Sequence, residues 1–221
     1  MKGSLENLFI INKDDVLKLI EKDQDYKQLY ERFSIPDRQC YHTFFEALVK
    51  TVISQQLSNA TLKTLLGRID KKALSDPTLM LKSLENGTLK LSLVKRECIE
   101  HICHDFLNNN LNEQMPHLIN RDMLKERLLA YKGIGPWSVD IIFMFYLQDR
   151  SIFAKSDFGI RRGFAILKNL DIKAVKDAQL KAYGESLGEC ATIACFYLWE
   201  LSSSTDVWSV SSAQSDFHCA R

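Results

Sequence analysis

None of the six cysteines of this 221-residue chain, Cys40, Cys98, Cys103, Cys190, Cys195 and Cys219, stands in a C-x2-C pair, so the usual spacing of zinc and iron–sulfur ligands is missing. Two pairs are spaced C-x4-C, but both fall in helical patterns, where cysteine serves as a small buried apolar residue. No run approaches the roughly 20 apolar residues of a membrane span, and the opening MKGSLENLFI carries no secretory pattern. A soluble, intracellular protein of cytoplasm, nucleoid or nucleus is expected, with its thiols reduced. Charge of one sign is not in excess either: 29 Lys and Arg stand against 28 Asp and Glu, for a net +1. Any polyanionic partner must therefore be held by a local patch. Nine glycines and four prolines are few for this length, which makes their clustering informative.

What the chain has in abundance is helical periodicity. Strand-like alternation between hairpin turns is not sustained anywhere, and an all-α fold is expected. Two short helices open near residue 14 and at Asp25, the second closed before Pro36. CYHTFFEALVKTVISQQL, Cys40 to Leu57, puts Phe44, Leu48, Val52 and Ile53 on one stripe and reads as a buried helix. Ser58, the SDPT run at Ser75 to Thr78, and Ser92 mark further helix starts. NNNLNEQMP reads as a polar break before a helix over Arg121 to Tyr131 and another from Pro136 to about Leu147. Helices follow near Phe158 to Leu167, Ala174 to Leu187 and Ala191 to Leu201, and the serine-rich 202–221 reads as a flexible tail that Trp208 and Phe217 are able to dock.

Two glycines and a proline crowd into YKGIGPWSVD, Tyr131 to Asp140, between two of these helices. A helix C-cap needs one glycine, and a proline start accounts for Pro136; both are ordinary punctuation. Two glycines around Ile134 suit a turn whose backbone approaches something closely. The free N–H groups and dipole at the following helix start make an anion site, with phosphate as the natural ligand.

The run LLAYKGIGPWSVDIIFMFYLQDRSIFAKSDFGIRRGF resembles the helix-hairpin-helix signature and downstream aspartate of the helix-hairpin-helix DNA glycosylases, most closely their 3-methyladenine DNA glycosylase II branch. FFEALVKTVISQQLSNATLKTL and ACFYLWEL resemble the first core helix and last helix of the same branch, so the likeness spans most of residues 40–201. It implies a two-lobed all-α fold with a DNA-binding cleft between an N-terminal lobe, 1–57 plus 170–201, and a central hairpin lobe, 58–169. It also implies double-stranded DNA bearing alkylated bases as the partner, base flipping, a monomer and no cofactor. It allows a monovalent cation at the hairpin backbone.

By the same resemblance Asp157 is the catalytic carboxylate, there to stabilise positive charge on the deoxyribose and to orient or deprotonate water. Read from the residues alone, Ser156-Asp157 is a helix N-cap; the two readings agree, since the dipole favours the anion there. Asp140 is the nearest competitor, one turn into the helix after the hairpin. Relatives that also cut the DNA backbone carry a Schiff-base lysine where this chain has Trp137, so the resemblance implies hydrolysis without strand cleavage. Trp137 and Phe158 match base-pocket aromatics, and a core tryptophan is the alternative for Trp137. Ile141 replaces a second aromatic, and LGECAT, Leu187 to Thr192, stands where the branch carries a Trp-x-Pro-aromatic-Arg run. Those two departures point to an altered range of bases.

The turn Gln55-Gln56-Leu57-Ser58 matches the element that fills the vacated base position, with Gln56 or Leu57 as the plug; Gln55 also reads as an ordinary helix-end residue. The expected DNA-backbone contacts are Lys132, Gly133, Ile134, Gly135 and Ser138 at the hairpin, and Lys155 and Arg161 beside Asp157. Between Gln148 and Lys168 five basic residues face two acidic ones, a local charge of about +3, with Arg162 and Lys168 also readable as solvated surface. Two rivals stand beside the alkylbase reading. One is a bifunctional or mismatch-specific member of the superfamily, and the other a hairpin module that binds DNA without catalysis.

Overall fold

A computed structural model describes residues 7–36 and 38–204. Twelve α-helices run along them: α1 (Lys13–Lys22), α2 (Asp25–Phe33), α3 (Phe44–Ser54), α4 (Asn59–Leu66), α5 (Pro77–Glu85), α6 (Leu93–Leu107), α7 (Met115–Leu118), α8 (Arg121–Leu129), α9 (Pro136–Phe145), α10 (Phe158–Leu167), α11 (Asp177–Leu187) and α12 (Ala191–Ser203), with 3-10 turns at Lys71–Leu74, Ile172–Ala174 and Gly188–Cys190. The extended pairing among the described residues is one isolated antiparallel bridge, Leu8 to Gln39. The all-α expectation holds. Residues 205–221, with Trp208 and Phe217, lie outside the described residues, and Ser202 and Ser203 belong to α12 rather than to the tail.

Of the helix starts read from the sequence, Ser58, Asp76 of the SDPT run and Asp157 each accept a backbone N–H with their side chains at the N-caps of α4, α5 and α10; Thr43 and Asn120 do the same for α3 and α8. Ser92 precedes α6 as expected but makes no side-chain cap hydrogen bond. Two further details differ. The polar break contains a further turn of helix, α7. α3 stops at Ser54 because Gln55 turns extended and Gln56 takes φ 57°, a left-handed conformation that no α-helix continues.

Among the described residues two compact units emerge: 7–10 with 38–154, and 11–36 with 155–204. The division differs from the lobes expected. Residues 38–57 go with the hairpin because α3 packs on α6 and α9, and α10 goes with the terminal helices because it packs on α12.

In the first unit Phe44, Phe45, Leu48, Val49, Val52 and Ile53 of α3 are all buried, so the helix is apolar beyond a single stripe, as its central position requires. Phe45 meets Phe106 of α6 edge-to-face at 5.1 Å, and Phe44 stacks on Tyr146, just past α9, at 5.5 Å. The carboxylate of Glu113 takes up the N–H groups of Phe44 and Phe45 at the start of α3, satisfying donors that the helix cannot satisfy itself.

The second unit is built around α12, where Ala191, Ile193, Ala194, Cys195, Phe196, Tyr197, Leu198 and Leu201 are buried. Helix α10 approaches it closely at Gly163: a Cβ there would lie 2.2 Å from the carbonyl oxygen of Leu198. Only glycine fits that crossing. Tyr26 of α2 lies edge-to-face with Tyr197 at 6.0 Å. Lys168, just past α10, donates to Asp23 and Asp25 at 2.7 Å each, and Tyr183 of α11 donates to Asp23 at 2.6 Å. This cluster ties the start of α2 to α10 and α11.

Candidate active site and nucleic-acid interface

The first unit carries the hairpin. Helix α8 ends at Leu129, and the chain reverses through Tyr131 to Gly135 before α9. Its two glycines serve different ends. Gly133 has φ +105°, and a Cβ there would lie 3.1 Å from Cβ of Cys98 on α6; both backbone and space demand glycine. Gly135 is extended, and an added Cβ would meet nothing within 4 Å. Glycine at 135 is required neither by its backbone angles nor by neighbouring atoms. No side chain caps α9 at Gly135, and Pro136 opens it, so the positive end of the helix dipole has no side-chain acceptor there.

Within the hairpin the expected contacts separate. Ile134 is buried at 6% exposure and Ser138 is turned inward, its Oγ 2.9 Å from Nε2 of Gln55. Their side chains hold the turn together, so the hairpin presents backbone rather than these groups. Gln55 also donates to the carbonyl of Gly133 at 2.7 Å, a structural role inside the unit. Lys132 stays at the surface, 3.3 Å from Glu97, an exposed pair worth little in stability.

The turn after α3 is held from below. Lys95 Nζ of α6 donates to the carbonyls of Ile53 and Gln55 at 2.9 and 2.6 Å, closing the helix end, and burial lowers its pKa below the usual lysine value. The N–H of Leu57 reaches back to Ser54 at 3.1 Å. This leaves Gln56 at the exposed tip with φ 57°, while Leu57 is half-buried. Ser58 is consumed as the cap of α4.

On α9, Trp137 is half-buried in the first turn and Ile141 is buried.

The second unit carries the carboxylate. Asp157 is the N-cap of α10, its Oδ1 accepting the N–H of Ile160 at 3.0 Å. The same oxygen accepts the indole N–H of Trp199 on α12 at 2.9 Å. Phe158, the next residue, is 70% exposed, presenting an apolar ring to solvent beside the carboxylate. Lys155 is half-buried two residues before Asp157. Arg161 is engaged inside the unit: it donates to the carbonyl of Val175 at 2.6 Å and pairs with Asp177 at the start of α11.

Charge counting along the sequence therefore overstates the basic patch. Arg161 and Lys168 are spent on contacts within the second unit, and Arg150, in the first, donates to the carbonyl of Ile10 at 3.2 Å. Asp140 is half-buried on α9.

Among the described residues no group of three or more His, Cys, Asp or Glu side chains is placed to hold a metal ion, and no helix is long and apolar enough to cross a membrane. The five described cysteines are buried and unbridged; burial pushes the Cys40 and Cys98 thiols up to about 11 and Cys103 to about 12, the behaviour of packing residues rather than nucleophiles.

No family model matches the chain. A Bacillus subtilis protein provisionally named a DNA-3-methyladenine glycosylase, YfjP, is 33% identical over 86 residues, which cover 39% of this chain and 29% of that protein. A Schizosaccharomyces pombe protein named DNA-3-methyladenine glycosylase 1 is 27% identical over 172 residues, 73% of this chain and 74% of its own. The solved S. pombe 3-methyladenine DNA glycosylase, in complex with abasic DNA, superposes with a TM-score of 0.73 at 21% identity over 85% of this chain and 96% of that one. The chain is thus similar to proteins named DNA-3-methyladenine glycosylase and shares the fold of a solved one. Reading the sequence located the turn between α8 and α9, the capping aspartate of α10 and the turn after α3. It missed Trp199, Lys95 and Glu113, whose partners lie roughly 40 to 70 positions away in the chain. One local signal was available for the first of these: Gly159 and Gly163, a turn apart on α10, announce a closely packed partner helix.

Proposed function

We propose that the chain is a DNA glycosylase that extrudes N-alkylated purines of the 3-methyladenine and 7-methylguanine type from duplex DNA and hydrolyses their N-glycosidic bond, leaving an abasic site. One observation carries this reading: Asp157 stands at the start of α10 with Oδ1 held by two donors, in a chain whose relatives are named for 3-methyladenine removal. A fixed carboxylate suits a reaction in which the C1′–N bond breaks, its electron pair leaves with the base, and positive charge grows on the sugar. Water then adds at C1′ and loses its proton, for which Asp157 is the acceptor at hand. An alkylated purine already carries positive charge, so its departure as a neutral base needs no acid group, metal or cofactor.

The hairpin has the second task. Open backbone at Gly135 and the uncapped start of α9 suit a phosphate of the DNA backbone, with Lys132 adding charge beside it and a monovalent cation as an optional bridge. Gln56, the exposed tip of its turn, is the better placed of the two plug candidates. The exposed Phe158, next to Asp157 in the chain, supplies aromatic surface for a cationic base. Since Trp137 occupies the position of a Schiff-base lysine, strand cleavage has no amine there. The enzyme acts inside the cell as a monomer.

The test compares wild type with Asp157→Asn on a methylated duplex. Expected are release of free methylated purines by wild type, loss of release by the variant, and equal DNA binding by both. A wild type that binds but releases nothing makes the chain a non-catalytic DNA module. Strand breaks without heat or alkali overturn the hydrolytic reading, and release confined to unmethylated or mismatched bases overturns the substrate class.

A further inference from the structure

We infer that Trp199 is a positioning residue that sets the orientation of the Asp157 carboxylate through its indole N–H. The inference rests on the glycosylase reading and adds to it a residue 42 positions downstream, on another helix. Three observations support it. The indole Nε1 lies 2.9 Å from Asp157 Oδ1, a charge-assisted bond of the stronger class. Its approach is built into α10: a Cβ on Gly159 would lie 2.9 Å from Cδ1 and 3.3 Å from Nε1 of Trp199, and a Cβ on Gly163 would strike the backbone of Leu198. The indole is also oriented from its own helix, stacked on Phe196 at 6.0 Å with planes 17° apart.

Geometry shows why a second donor matters. The N–H of Ile160 arrives from the same turn as Asp157 and is what any N-cap aspartate receives. A second donor from α12 on that oxygen sets the plane of the group, and charge stabilisation in a transition state depends on such prior orientation. Gly159, Gly163 and Phe196 are thus support for the aspartate rather than packing alone.

Trp199→Phe and Trp199→Leu separate the N–H from the ring. Phenylalanine keeps a ring against Phe196 and loses the donor; leucine loses both. Single-turnover release of 7-methylguanine should fall roughly ten- to a hundred-fold in both variants, the scale of losing a hydrogen bond to a charged group. In the phenylalanine variant, affinity for abasic-site DNA should stay within about twofold and the melting temperature should stay near that of wild type. Wild-type release with an unaffected Trp199→Phe variant overturns the positioning role and leaves the glycosylase reading standing. So does a rate loss in Trp199→Phe that comes with weakened DNA binding or a lowered melting temperature, because that is general damage to the unit. No release by wild type defeats the glycosylase reading and this inference together.

Discussion

Gln55 and Gly133 are joined by a 2.7 Å hydrogen bond from the side-chain amide of one to the carbonyl of the other, and the same nitrogen lies 2.9 Å from Ser138 Oγ. The residue that ends α3 thereby holds the hairpin in shape. Gln55→Ala should destabilise the protein by about 1–2 kcal/mol, since a buried hydroxyl and a carbonyl lose their partner. That corresponds to a fall of roughly 2–8 °C in melting temperature for a chain of this size. Gln55→Glu should cost more, because a carboxylate would face a carbonyl oxygen. Calorimetry or a dichroism melt decides.

The glycines should separate by what surrounds them. Gly163→Ala drives a Cβ into the backbone of Leu198 and should cost about 2–4 kcal/mol, being overpacking against atoms unable to rotate away. Gly133→Ala should cost about 1–3 kcal/mol for its φ of +105°. Gly135→Ala should leave stability within about 0.5 kcal/mol, since no atom lies within 4 Å of the new Cβ. Its effect should appear in DNA affinity, lowered several-fold if a phosphate takes that space. A Gly135→Ala protein with unchanged stability and unchanged DNA binding would remove the hairpin from the interface.

The cluster of Lys168, Asp23, Asp25 and Tyr183 predicts a pH window. Burial pushes the Asp23 carboxyl up, but the hydrogen bonds from Lys168 and Tyr183 outweigh it and the net shift is downward. Burial pulls Lys168 down, but its bonds to Asp23 and Asp25 raise it on balance. A carboxyl lowered on folding adds stability that is present above its unfolded pKa of about 3.9 and is lost as pH falls through the folded value. An amine raised on folding adds stability that is full below about 10.4 and is lost as pH climbs through its folded value. The cluster should therefore be at full strength from about pH 5 to 9. Lys168→Met, which leaves two carboxylates facing each other, should cost about 2 kcal/mol there and much less near pH 3, measured by denaturant melts across pH.

Some of this was legible in the residues and some was not. The helix starts at Ser58, Asp76 and Asp157 were, because those side chains make their bonds to amides two or three positions away, and local chemistry is what a sequence displays. The burial of Phe44, Leu48, Val52 and Ile53 was legible for a similar reason, their common helical stripe. Arg161, Lys168 and Ser138 were misplaced on the outside because nothing beside them in the chain reveals an inward partner. Arg161 meets Val175 and Asp177 at the start of α11, Lys168 meets Asp23 and Asp25 across more than 140 positions, and Ser138 meets Gln55 across 83.

Periodicity, caps and punctuation were enough to establish an all-helical chain with a hairpin at Gly133 to Gly135 and a capping carboxylate at Asp157, since each rests on interactions spanning a turn or less. Three-dimensional packing settled how those pieces are held. It placed α3 with the hairpin, gave Gly133 to α6 and left Gly135 open, and brought Trp199 to Asp157 through the glycine face of α10. Contacts between helices distant in sequence arise from shape and volume, which no window along the chain contains.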